Sequence, residues 1–217
     1  MSTTLPWPGL RRALIGAVLS GAVSDAASAY TVTLSSAAPL TVYLQVGAGS
    51  FTANYTNGGQ PENNTTVNTV SATLAAAAVG NSTAQPMTTS STATRSYYDG
   101  RTFCSVPGQV YIGGFYRLPG NNVTAAALVT ATVPAALTDA TGDTIPFSKL
   151  RWTSSGIGDS GSEPFPAGTF VNGGVQKVGS MGSNTWNESC WTFSYLNNTV
   201  PRAGTFTGVV RYTLSTP

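Results

Sequence analysis

Leu40-Thr41-Val42-Tyr43-Leu44-Gln45-Val46 sets the pattern for the whole chain. In an extended backbone successive side chains point to opposite faces, so Leu40, Val42, Leu44 and Val46 share one side. Thr41, Tyr43 and Gln45 share the other. A period of two with polar residues on the alternate face marks a half-buried β-strand. The same alternation opens at Tyr30-Thr31-Val32-Thr33-Leu34. It recurs over residues 50–55, 67–74, 102–106, 109–115, 126–133, 144–152, 190–195 and 205–214. Turn signals separate these runs: Asn57-Gly58-Gly59, Asp99-Gly100, Pro119-Gly120-Asn121, Thr141-Gly142-Asp143, Asn172-Gly173-Gly174 and Asn197-Asn198. Many short strands, with 13 prolines and 24 glycines between them, predict an all-β fold. The expected form is a single antiparallel β-sandwich, Ig-like, pilin-like or jelly-roll in arrangement. The alanine-rich run 74–79 reads equally as a short helix or as a strand or crossover turn. Residues 80–96 are rich in Ser and Thr, with Met87 as their one large apolar side chain, and are expected to form a long surface loop.

Only 8% of the 217 residues are charged, and there is no histidine. An average domain has about a quarter of its residues charged, so polar contacts here fall to Ser, Thr, Asn, Gln and the backbone. Lack of histidine excludes Ser-His-Asp and Cys-His nucleophile sites, His zinc sites and imidazole acid–base chemistry. A net charge of +2 offers no basic field for nucleic acid.

Arg11-Arg12 followed by Ala13-Leu14-Ile15-Gly16-Ala17-Val18-Leu19 and then Ala27-Ser28-Ala29 has the three parts of a secretory signal. The apolar run is about half the ~20 residues that a spanning helix requires. Residues 1–29 are therefore read as a cleaved signal peptide, with twin-arginine or general export both open, and 30–217 as one β-sandwich domain. No second apolar run approaches spanning length, so no membrane span is expected in the mature chain. Its expected location is the periplasm, the cell surface or the medium. The two cysteines, Cys104 and Cys190, are expected to form a disulfide in such a compartment.

Candidate chemistry is sparse. Asp159 and Glu163 are the one carboxylate pair to weigh for glycoside hydrolysis, but a Gly/Ser/Pro stretch gives them no fixed separation. Asp139-Ala140-Thr141-Gly142-Asp143 offers two carboxylates to calcium without the further ligands or distal Glu of an EF-hand, and reads as a hairpin loop. No catalytic, metal or cofactor-binding residue is assigned, and no enzyme activity is expected. Aromatic residues are the better candidates. Tyr97-Tyr98 sits on an Asp99-Gly100 turn between Arg95 and Arg101. Trp186, Trp191, Phe193 and Tyr195 surround Cys190. If Cys190 faces the core, alternation places Trp191, Phe193 and Tyr195 on the opposite face, as a second packed layer or a binding surface. Tyr97, Tyr98, Trp186 and Trp191 are the candidate binding surface for a sugar or protein partner.

The C-terminal run Pro201-Arg202-Ala203-Gly204-Thr205-Phe206-Thr207-Gly208-Val209-Val210-Arg211-Tyr212-Thr213-Leu214 couples a Pro/Gly turn to a long alternating strand. It resembles the last strand of two groups of bacterial secreted β-sandwiches: the spore coat protein U-like pilins of chaperone–usher systems and WxL-type surface domains. In both, an AGTY/F turn precedes a terminal strand. The resemblance implies a structural or adhesive surface protein assembling by β-strand pairing. It also implies that Tyr30, Val32 and Leu34 form a donor strand for a neighbouring subunit. An ordinary first strand of its own sandwich is the alternative for that segment. A secreted carbohydrate-binding module is the alternative for the whole, and a glycoside hydrolase ranks last.

Overall fold

The structure, a computed structural model, describes residues 32–34, 40–55, 66–119, 126–156 and 162–217. The signal segment, Tyr30, the 57–59 turn and Asp159 lie outside them. The described residues form fifteen strands in order. They are β1 (Val32–Thr33), β2 (Leu40–Val46), β3 (Gly49–Tyr55), β4 (Val70–Ser71), β5 (Gln85–Pro86), β6 (Thr88–Thr89), β7 (Val110–Arg117) and β8 (Ala127–Val133). Then come β9 (Ala136–Thr138), β10 (Thr144–Pro146), β11 (Leu150–Ser155), β12 (Gly168–Thr169), β13 (Gly174–Met181), β14 (Thr185–Tyr195) and β15 (Arg211–Ser215). Every strand pair among the described residues is antiparallel.

A large sheet runs β12-β11-β14-β7-β2-β3. Its hub is the 11-residue β14, which pairs with β7 over its first half and β11 over its second, while β1 and β5 add at its two ends. A smaller sheet, β13-β8-β15, lies against it. Along β8 Ala127, Val129, Ala131 and Val133 are buried and Leu128 and Thr132 face solvent, the alternation of a strand with one wet face. Val129, Ala131 and Val133 share one apolar cluster with Leu44, Ile112, Trp152, Trp191 and Phe193 of the large sheet. The fold is thus an all-β sandwich closed by side chains of both inner faces.

The run that opens the sequence argument forms β2 over its predicted bounds. Gly47 follows it at φ +59°, the conformation the first central residue of a two-residue hairpin needs, and joins β2 to β3. Other expectations shift. The alanine run gives one 3-10 turn, Ala76–Ala78. The 67–74 run keeps only β4, and 102–106 forms no strand, contributing a single bridge from Thr102 to Arg95. The terminal strand begins at Arg211 rather than 205, although Phe206, Val210, Tyr212 and Leu214 all pack on the core as the pattern requires. Residues 80–96 are irregular but not detached: β5 pairs with β14 and β6 with β4.

Cys104 and Cys190 form the expected disulfide, with Cα atoms 5.6 Å apart. Its position reverses the condition set by the sequence. The bridge clusters with Tyr111, Phe103 and Ala93 on the outer face of the large sheet, while Trp191, Phe193 and Tyr195 face the core. It clips the 89–109 excursion to β14 rather than joining the two sheets. No helix among the described residues is long and apolar enough to cross a membrane.

Candidate functional site

The outer face of the large sheet carries a row of rings set by strand register. Tyr43 of β2 lies opposite Phe115 of β7, and Phe115 opposite Trp186 of β14. Neighbouring strands lie about 4.8 Å apart, so the rings meet: centroids are 5.7 Å apart for Tyr43–Phe115, 5.8 Å for Phe115–Trp186 and 5.9 Å for Tyr43–Trp186. The side chains that alternate with them, Val42, Leu44 and Tyr116, are committed to the interior.

A hairpin over residues 94–103 closes on this row. Phe103 N–H donates to the Thr94 carbonyl at 2.7 Å, Ser96 N–H to Arg101 at 2.9 Å and Gly100 N–H to Ser96 at 3.0 Å. At its tip Gly100 adopts φ +74°, Ser96 Oγ accepts from Tyr98 N–H and Asp99 Oδ1 accepts from Arg101 N–H. The Arg95 guanidinium donates to the Gly100 carbonyl at 2.9 Å. This frame lays Tyr97 flat on Tyr43, with centroids 4.4 Å apart and planes at 24°. Tyr97 and Tyr98 stand 5.8 and 6.0 Å from Trp186. Tyr97 remains 61% exposed and Tyr98 49%, whereas Trp186 is 7% exposed. The result is a shallow cleft of about 270 Å³ lined by Leu34, Tyr97, Tyr98, Phe115, Arg117 and Trp186. Five of these are apolar or aromatic, one is a cation, and none is a carboxylate.

A polar layer supports the cleft from behind. The wholly buried Tyr111 hydroxyl donates to Glu188 Oε2 at 2.8 Å. Burial, followed by the neighbouring Glu188 charge, pushes the Tyr111 phenol well above its ordinary range. Burial also raises the Glu188 carboxyl, and the interactions with Tyr111, Trp186 and Ser96 only partly offset it. The Trp186 indole N–H is buried without a hydrogen-bond partner among the described residues. Tyr43 is pushed up to about 12, first by burial and then by Tyr97 lying over it, against a smaller lowering from Ser50. Its hydroxyl donates to Gln45 Oε1 at 2.6 Å.

Three of the four aromatic candidates therefore converge: Tyr97, Tyr98 and Trp186. Trp191 does not. It is wholly buried, its indole N–H donates to the Phe165 carbonyl at 3.0 Å, and it packs on Trp152, Phe193 and Tyr212. A ring so placed belongs to the core, where truncation costs about 3–5 kcal/mol, and it is no ligand surface. Val32 and Thr33 pair with Trp186 and Thr185 of the same chain, and Leu34 N–H donates to Asn184 at 2.8 Å before Leu34 reaches the cleft. Tyr43, Phe115 and Arg117 were not singled out from sequence. Alternation alone had offered a signal for the first two, since both fall on the polar face of apolar strands.

The carboxylate candidates are engaged in local structure. Glu163 accepts a 2.9 Å hydrogen bond from the buried Ser189 hydroxyl. Asp139 shapes the β9–β10 turn by accepting from the N–H groups of Thr141 and Asp143. Desolvation of Asp139 is outweighed by the combined bonds from Thr141, Asp143 and Gly142, which hold its carboxyl below the ordinary value. Asp143 also lies 3.6 Å from the exposed Arg202. Among the described residues no group of three or more His, Cys, Asp or Glu side chains converges as a metal site would. No family model matches the chain, and no curated protein or solved structure matches it either.

Proposed function

We propose that this chain is an exported, non-catalytic surface protein that works by adhesion, and that the aromatic cleft is where it grips its ligand. One observation carries the reading: the Tyr43–Phe115–Trp186 row is capped by a disulfide-clipped hairpin that leaves Tyr97 and Tyr98 open to solvent. Rigid aromatic side chains give large contact area at small entropic cost, which suits recognition. Export is supported by the signal-like N-terminus and by the disulfide, which persists in oxidising compartments. The test is adhesion of the purified mature chain to cell surfaces and a glycan array. Loss of binding is expected for Tyr97→Ala and Tyr98→Ala, while Val175→Ala on the other sheet leaves it intact. Unchanged adhesion in both tyrosine variants would overturn the reading.

Assembly by strand pairing is a second reading, favoured by β1. Among the described residues its contact with β14 is two paired residues and the Leu34–Asn184 bond, small enough to exchange with that of a neighbouring copy. The low charge of the chain leaves sheet edges with little protection against such pairing. Deleting residues 30–34 should abolish polymers seen by electron microscopy. Polymers that survive the deletion would refute a donor role for Tyr30, Val32 and Leu34.

A further inference from the structure

The geometry points to an acidic pyranose, a sugar ring bearing a carboxylate, as the ligand class of the aromatic cleft; this rests on the adhesive reading above. The ring part of the argument comes from shape. Tyr97 is stacked on Tyr43 by one face and is mostly exposed, so its other face is a platform parallel to the aromatic row. A pyranose offers a flat C–H face to such a platform and keeps its hydroxyls in water, as the tyrosine keeps its own. A closed pocket buries most of a small ligand. This cleft is shallow and about 270 Å³, room for a ring whose chain continues on either side. An extended glycan has that form.

The acid part comes from charge. In a chain of which 8% is charged, Arg117 lines this cleft, and Arg95 and Arg101 belong to the hairpin that carries Tyr97 and Tyr98. Arg95 bonds the hairpin tip and Arg101 pairs with Asp99 at 3.6 Å, so both are occupied in holding the turn. Arg117 lines the wall itself, and among the described residues no carboxylate does. It already interacts within the fold, but a guanidinium has five N–H donors in a fork that matches a carboxylate. Two acids belong to the surroundings: Glu188 accepts from the Tyr111 hydroxyl, and Asp99 on the hairpin tip pairs with Arg101. A cationic sugar or peptide would meet Arg117 unfavourably, and a neutral one would gain no charge-assisted bond from it.

The test is calorimetric titration of the mature chain at low salt with oligogalacturonate, its methyl ester and polyglutamate, and with sialyllactose beside lactose. At least one acidic sugar should bind about tenfold more tightly than its neutral counterpart, the ratio one charge-assisted hydrogen bond supplies. Uronate and sialate arms distinguish the source of the acid. Arg117→Gln should erase the ratio while binding of the neutral sugar persists, Arg117→Lys should keep part of it, and Tyr97→Ala should lose both sugars. Persistence of neutral binding shows that Arg117→Gln is folded. Equal affinity for acid and ester, a ratio that survives Arg117→Gln, or polyglutamate binding as tightly as the uronate would each overturn the inference. If no sugar binds but Tyr97→Ala still loses surface adhesion, the ligand class is refuted and the adhesive reading stands. If Tyr97→Ala adheres normally, the adhesive reading fails as well.

Discussion

Replacing both cysteines, Cys104→Ala with Cys190→Ala, should separate the stability of the molecule from the order of its sheets. The bridge closes a separation of 86 residues. The chain-entropy relation gives about 4.6 kcal/mol for a loop of that length. For a protein of this size each kcal/mol moves Tm by roughly 2–4 °C, so the loss corresponds to about 9–18 °C. Because the cysteines lie outside the main apolar cluster, the sandwich itself should persist. Differential scanning calorimetry then shows one transition at lower temperature, with an unchanged far-ultraviolet circular dichroism spectrum at 20 °C. The hairpin should suffer locally, since the bridge leaves from Cys104, whose own N–H donates to the Thr94 carbonyl that closes the hairpin. Trypsin cleavage after Arg95 and Arg101, exposed residues on that hairpin, should therefore accelerate. A Tm change below about 3 °C would refute the loop-entropy account. Collapse of the far-ultraviolet spectrum would refute the placement of the disulfide outside the core.

Three further outcomes follow from single side chains. Asn197 is wholly buried at φ +51°, accepts from Gly80 N–H and donates to Ala78 and to Asn81, each at 2.8 Å. Asn197→Ala strands those groups and puts alanine in a left-handed conformation. Urea denaturation should show a loss of about 3–5 kcal/mol, and a loss under about 1 kcal/mol would contradict the network. Glu188 has a folded-state pKa raised by burial, so its favourable protonated contribution is complete below the ordinary carboxylate pKa and is lost as pH rises through the folded one. Glu188→Gln keeps an acceptor for Tyr111 without the charge; it should raise Tm at pH 8 and leave it unchanged at about pH 4, and a lower Tm at pH 8 would count against the burial argument. Tyr97→Ala uncovers Tyr43, so an ultraviolet tyrosinate titration should find one phenol moving from about 12 towards the ordinary 10.0. An unmoved titration would mean that Tyr97 does not cover it.

Strand positions were legible where burial is one-sided and the run is uninterrupted, as in β2 and β8. β13 escaped because Gly174-Val175-Gln176-Lys177-Val178-Gly179 breaks the period. A register shift between Lys177 and Gly179 turns the strand over, so its inward residues no longer alternate in sequence. The terminal strand starts late because Gly204 and Gly208 interrupt the run and residues 205–210 make only the Thr207–Thr138 bridge. Alternation correctly opposed Cys190 to Trp191, Phe193 and Tyr195, but it has no sign: nothing local says which side is inside. That ambiguity put Trp191 among surface candidates. Tyr97, Tyr98 and Trp186 were legible as aromatics on and near turns. Their meeting was not, because it depends on the β2–β7–β14 register and on where a bridge pulls the excursion.

The position of β14 late in the chain has a consequence for timing. β1, β5, β7 and β11 all pair with it, so strands made early have no shared partner until residues 185–195 have left the ribosome. Val32 must wait for Trp186. Such non-local pairing slows folding and leaves β1, β5 and β11 without their β14 partner meanwhile. The wait concerns the shared strand alone: β2, β3 and β7 can assemble first, and residues 185–195 then join them to β11.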